Sequence, residues 1–171
     1  YEILIGLVGL GDVYKRQPYK VSGNNVYIYG YAVECDLLIL KQDSKAIFEA
    51  PEIYRAEDVI TIIESKATGI FIDKKKPKNP FLNELCMVKQ LNDKGVGVKF
   101  AYISLAEQIS GRSSRLLDEA NRYINEYSNE KNQNKGVYCF SKTYPEDEYP
   151  LYEGNPYSFD EYIKYLCDDF S

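Results

Sequence analysis

Two short strings hold the residues best suited to chemistry. Glu34-Cys35-Asp36 leads into Leu37-Leu38-Ile39-Leu40, and Glu64-Ser65-Lys66 closes Val59-Ile60-Thr61-Ile62-Ile63. Runs of β-branched and apolar residues of this length are strand-like. Side chains alternate faces along a strand, so Glu34 and Asp36 project together with Cys35 opposite. Glu64 and Lys66 likewise share a face, with Ser65 opposite. If the strands are neighbours, three carboxylates and one ammonium meet at the edge of an apolar sheet. Burying that many charges is costly unless they pair or bind a cation. Hard divalent cations take oxygen ligands and keep several waters, so one or two carboxylates and a substrate phosphate suffice. A lysine alongside can hold an attacking water and face developing negative charge. The chemistry expected of such a set is metal-assisted phosphodiester hydrolysis. A Glu-x-Lys by itself is more often a solvated face or a cross-strand ion pair; the acids on the second strand are what turn the reading towards a site.

The chain has no histidine. This removes Ser-His-Asp and Cys-His nucleophile systems in their usual form, along with histidine-bearing metal nucleases and common zinc-hydrolase sites. Acid–base work falls to carboxylates, lysine, tyrosine or water. Cys35, Cys86, Cys139 and Cys167 form no Cys-x-x-Cys pair, predicting neither zinc nor redox chemistry, and three of them sit in apolar runs and read as small buried hydrophobes. With no secretory signal and no apolar run near the length of a membrane span, a cytoplasmic protein is expected.

The order acid, strand, then Glu-x-Lys at the end of a later strand resembles the PD-(D/E)xK, restriction-endonuclease-like, nuclease superfamily. Glu64 follows Asp36 by 28 residues, inside that family's loose range. The resemblance covers about residues 27–69, with Glu-Cys-Asp-Leu-Leu-Ile, Ala-Glu-Asp-Val and Ile-Ile-Glu-Ser-Lys-Ala. It implies that Asp36 and Glu64 are metal ligands for Mg²⁺ or Mn²⁺, with the backbone carbonyl of Ser65 a third. It further implies that Lys66 is the catalytic lysine and Glu34 an accessory acid. Cys35 stands where the family has proline. A literal proline-acid pair, Pro51-Glu52, competes for the first-acid role, but it lies near an expected turn. The implied partner is nucleic acid, DNA in expectation, and a homodimer is compatible with the family. A catalytically silent binding domain of the same fold is the alternative.

The net charge of −5 argues against nucleic acid, but its distribution is uneven. From Tyr144 to Ser171 there are eight acids and one base. The remainder carries a small basic excess, including Lys74, Lys75, Lys76 and Lys78 just after the Glu-x-Lys, and Arg112 and Arg115 later. A lysine run is usually a solvated loop; its position here also suits phosphate contact.

Around these residues the sequence predicts strands over about 26–31, 33–41, 46–49, 59–66, 96–105 and 137–140. Helices are predicted over 80–92, 113–129 and 158–168, each with an apolar stripe. Tyr27, Tyr29 and Tyr31 are expected to share one strand face. The sum is an α/β fold: a central mixed sheet flanked by helices, one domain over 18–171. Residues 7–17, Leu-Val-Gly-Leu-Gly-Asp-Val-Tyr-Lys-Arg-Gln, resemble a translated sequencing adapter of the kind met in environmental assemblies. Residues 1–17 are therefore expected to be foreign to the fold, and the family's leading helix to lie outside this sequence.

Overall fold

The computed structural model describes residues 19–68, 80–106, 136–141 and 159–167, together with Arg122 and Ile124. Residues 1–17, the predicted helix over 113–129, the basic positions Lys74, Lys75, Lys76, Lys78, Arg112 and Arg115, and most of the acidic stretch after Tyr144 lie outside the described residues.

Nine strands and two helices are described: β1 (Tyr19–Val21), β2 (Val26–Ile28), β3 (Glu34–Cys35), β4 (Leu37–Lys41), β5 (Phe48–Glu49), β6 (Glu52–Tyr54), β7 (Val59–Thr68), α1 (Pro80–Asp93), β8 (Lys99–Ala106), β9 (Val137–Ser141) and α2 (Phe159–Cys167). The main sheet runs β1-β4-β7-β8-β9, and a smaller sheet runs β3-β2-β6-β5. In the main sheet β1, β4 and β7 are antiparallel neighbours, while β7, β8 and β9 are parallel. The architecture is mixed α/β, as the patterning predicts, with the small second sheet added.

Strands β4, β7 and β8 are apolar on both faces, as buried strands are. One face carries Leu38, Leu40, Val59, Ile62, Phe100 and Tyr102; it packs on Leu85, Met87, Val88 and Leu91 of α1 and on Val26, Ile28, Cys35 and Tyr54 of the small sheet. The other carries Leu37, Ile39, Ile63, Ala101 and Ile103 and packs on Tyr162, Tyr165 and Leu166 of α2. A one-residue irregularity between Ile39 and Leu40 shifts the β4–β7 register there.

Helix α1 begins at Pro80, where a missing N–H costs nothing. It ends in a Schellman-type turn: Val96 N–H donates to the Leu91 carbonyl at 3.1 Å, and Gly95 has a φ of +81°. The Asn92 side chain then accepts from Val98 N–H at 2.6 Å and donates to the Val98 carbonyl at 2.9 Å, fixing the entry into β8.

The sequence gives little warning of how α2 is held. Lys99 is only 3 % exposed. Its Nζ donates to the Tyr165 carbonyl at 2.6 Å and lies 5.2 Å from the centre of the Tyr165 ring. Thr61 Oγ1 donates to the Leu166 carbonyl at 2.7 Å. Both bonds engage carbonyls of the last helical turn, which lack intrahelical donors. Lys99→Met, which keeps the stem and removes the charge, should cost about 1.5–3 kcal/mol in urea denaturation. An unchanged midpoint would show that the end of α2 is secured otherwise.

Candidate active site

The predicted single strand over 33–41 is divided. Glu34 and Cys35 pair with Tyr27 and Val26 in the small sheet, whereas Leu37 to Leu40 pair with β7 in the main one. Asp36 is the residue at which the chain passes from one sheet to the other. The antiparallel ladder ends with Leu37 opposite Ile63, and Asp36 and Glu64 are the next residues on the two chains.

Asp36 does not continue the backbone ladder. Its side chain takes over instead, with Oδ2 accepting from Ser65 N–H at 2.7 Å. The N–H and C=O of one strand residue point the same way, so the Ser65 carbonyl also faces the Asp36 side. Leu38 hydrogen-bonds to Ser22, just after β1, which agrees with this alternation. Glu64 itself is 1 % exposed and sits in register with Tyr102 of β8. Lys66 follows in the same strand, in register with Ser104; its side chain lies outside the described part. Glu64 thus stands midway along β7, the middle strand of the main sheet, rather than at a sheet edge.

The structure brings together Asp36, Glu64 and the Ser65 backbone. Glu34 is not drawn onto that strand pair. Because it belongs to the small sheet, its carboxylate is exposed and accepts from the Tyr27 hydroxyl at 2.6 Å. That bond raises the Tyr27 phenol above its ordinary pKa. Among the described residues, no three Cys, Asp or Glu side chains form a group able to hold a metal ion, so the expected meeting of three carboxylates is reduced to two. The chemistry of the donor set, two carboxylates and one facing carbonyl, still fits a hard cation that keeps most of its waters. It does not fit a closed zinc cage.

One acid in this neighbourhood escaped the sequence reading. Glu84, on α1, is 1 % exposed. Its charge, with those of Glu64, Asp36 and Glu34, adds to the burial that drives the Cys35 thiol far above its usual range. Cys35 is fully buried in the core between the small sheet and α1. Such surroundings disfavour the thiolate form that a nucleophile needs. The signal for Glu84 was its spacing: it stands four residues before Val88 and seven before Leu91, on the apolar stripe of the helix.

The competing acid, Glu52, belongs to β6. Its Oε2 accepts from Tyr54 hydroxyl at 2.9 Å and from Gly23 N–H at 3.1 Å, a structural role. Burial first, then that bond to Glu52, pushes the Tyr54 phenol up to about 12.

No family model matches the chain, and no curated protein matches it. Solved structures similar to it include NucC of P. aeruginosa ATCC27853 in its cAAA-bound form, at 14% identity and a TM-score of 0.45, over 68% of this chain and 55% of that one. NucC of E. coli MS115-1 in its cAAA-bound form gives 12% identity and a TM-score of 0.43 over the same shares. Its apo form gives 11% and 0.40, over 68% of this chain and 59% of that one. The chain therefore spans less than two thirds of the length of these proteins. Among the described residues no helix is long and apolar enough to cross a membrane.

Proposed function

We propose that the chain is a metal-dependent nuclease with a restriction-endonuclease-like core, hydrolysing phosphodiester bonds in DNA. The observation that supports this reading above others is the Asp36–Ser65 hydrogen bond of 2.7 Å. It holds a carboxylate against the backbone of the Glu-x-Lys strand, next to the buried Glu64. Asp36 and Glu64 would hold Mg²⁺ or Mn²⁺ with the Ser65 carbonyl as a third oxygen. When bound, such an ion supplies Lewis-acid polarisation of a phosphoryl oxygen and lowers the pKa of water.

The chain's own residues do the rest. Burial of Glu64 lowers the local dielectric and strengthens its electrostatic interactions. The Ser65 N–H fixes the Asp36 carboxylate in one orientation. Lys66 orients the attacking water and stabilises charge as it develops on the phosphate. Lys74, Lys75, Lys76 and Lys78, between β7 and α1 in sequence, would meet the backbone phosphates of the substrate.

The test is a pair of measurements on the purified protein. At ten times its Kd, Mg²⁺ should stabilise the fold by about 1.4 kcal/mol, a rise in Tm of about 3–5 °C for a chain of this size. DNA should be cleaved only in its presence. Neither stabilisation nor cleavage of any DNA or RNA would overturn the reading. Stabilisation without cleavage would favour a silent interaction domain instead.

A further inference from the structure

We propose that the cleft beside strand β5 binds an unpaired nucleobase and its adjoining phosphate in single-stranded nucleic acid. This rests on the function proposed above only in taking nucleic acid as the partner. The cleft has a volume of about 490 Å³ and is lined by Tyr29, Ile47, Phe48, Arg55, Ala56 and Glu57. Among the described residues, the large hydrophobic side chains left exposed are Tyr29 at 63 %, Phe48 at 55 % and Ile47 at 38 %. All three line this one cleft. Exposed apolar surface gathered in this way marks a binding site more often than scattered residues do.

The wall chemistry selects the occupant. Two exposed aromatic side chains, Tyr29 and Phe48, line the cleft, and stacking of bases on aromatic rings is tolerant of sequence. Arg55 offers a planar cation for phosphate. Glu57 offers an acceptor for the exocyclic amine of a base. A lipid would have no use for Glu57, and an apolar peptide would leave both charges unsatisfied. A second copy of the chain would have to build on β5, a strand of only two residues, which is too short to template pairing.

The walls are also preformed. Tyr29 N–H donates to the Tyr54 carbonyl at 2.8 Å and Tyr31 N–H to Ile28 carbonyl at 3.0 Å. This closes a turn in which Gly30 takes a φ of +87°, a conformation that favours glycine. Ile47 N–H donates to Ile53 carbonyl at 2.7 Å. Rigid aromatic anchors lose little entropy on binding. The cleft lies along the same sheet as Cys35, since Val26 pairs with Cys35 and Tyr29 follows three residues on.

The test is fluorescence anisotropy of a labelled single-stranded DNA of about 12 nucleotides, with a duplex of equal length, in EDTA so that no cleavage intervenes. Wild-type protein should bind the single strand more tightly than the duplex. Tyr29→Ala and Phe48→Ala should each weaken that binding by about fivefold or more, while Tyr29→Phe and Phe48→Tyr retain it. Arg55→Gln should lower the salt slope by about one. Binding is read in EDTA and cleavage in Mg²⁺ on the same wild-type protein, so loss of cleavage and loss of this site are read separately. Four results would overturn the proposal. They are no single-strand binding by the wild type, alanine variants that bind normally, a free mononucleotide that binds as tightly as the oligomer, or alanine variants that change only the sedimentation of the protein.

Discussion

Asp36→Asn should abolish cleavage, by about a thousandfold or more, and leave the fold standing. Removing one charged ligand forfeits several kcal/mol of transition-state stabilisation, and each 1.36 kcal/mol is about tenfold in rate. The amide retains an oxygen able to accept from Ser65 N–H, so the hydrogen bond of 2.7 Å survives in kind. Its lost charge should weaken the stabilisation by Mg²⁺ as well. Lys66→Ala should separate the two effects. It should cut cleavage by about 10²–10³, the loss expected when one charge-stabilising group is removed, and leave the shift in Tm with Mg²⁺ largely intact. Single-turnover cleavage and thermal melts on the same preparations decide the matter. An Asp36→Asn protein that cleaves at the wild-type rate would place the chemistry elsewhere. A Lys66→Ala protein that has lost metal stabilisation but cleaves normally would invert the assigned roles.

The second large effect is on stability. Tyr162 is fully buried, donates its hydroxyl to the Tyr102 carbonyl at 3.0 Å and packs 5.3 Å from the Tyr138 ring centre. Tyr162→Ala should therefore cost about 3–5 kcal/mol, the usual range for an aromatic removed from a core. Tyr162→Phe keeps the ring and should cost about 1 kcal/mol for the lost hydrogen bond. The graded pair, followed by urea denaturation, distinguishes packing from hydrogen bonding. A Tyr162→Ala protein as stable as wild type would mean that α2 does not cover the sheet.

The parts of the fold legible in the sequence are those with a long, consistent period. Strands β4, β7 and β8 show continuous apolar runs, and α1 and α2 show stripes at helical spacing, so their positions are read to within a few residues. Of the small sheet, β2, β3 and β5 fall within predicted strands, but β6 and the separation into a second sheet were not legible. Strands of two or three residues carry too little pattern, and β6 lies where Pro51 signals a turn. The passage between sheets at Asp36 is hidden for the same reason, because the residues on either side are equally strand-like. The expected shared face of Tyr27, Tyr29 and Tyr31 fails because β2 ends at Ile28. Tyr29 then lies in a turn, and Tyr31 packs 5.0 Å beneath the Lys94 ammonium. Of the candidate site, the pairing of β4 with β7 follows from the two apolar runs, and Asp36 accepts from the backbone N–H of Ser65, next to Glu64. Glu34 goes to the other sheet, and Glu84 enters from a helix whose acid was masked by its apolar neighbours.

The bond from Thr61 to Leu166 joins residues 105 positions apart. During synthesis, then, the strands meet well before α2 has been made, and one apolar face of the sheet waits without its cover. Leu37, Ile39, Ile63, Ala101 and Ile103 are the residues left open in that interval. At about 5–20 residues per second, the interval between the emergence of Thr61 and Leu166 lasts about 5–20 s, far longer than hydrophobic collapse takes. A chain truncated before α2 would keep that apolar face open, a surface suited to self-association.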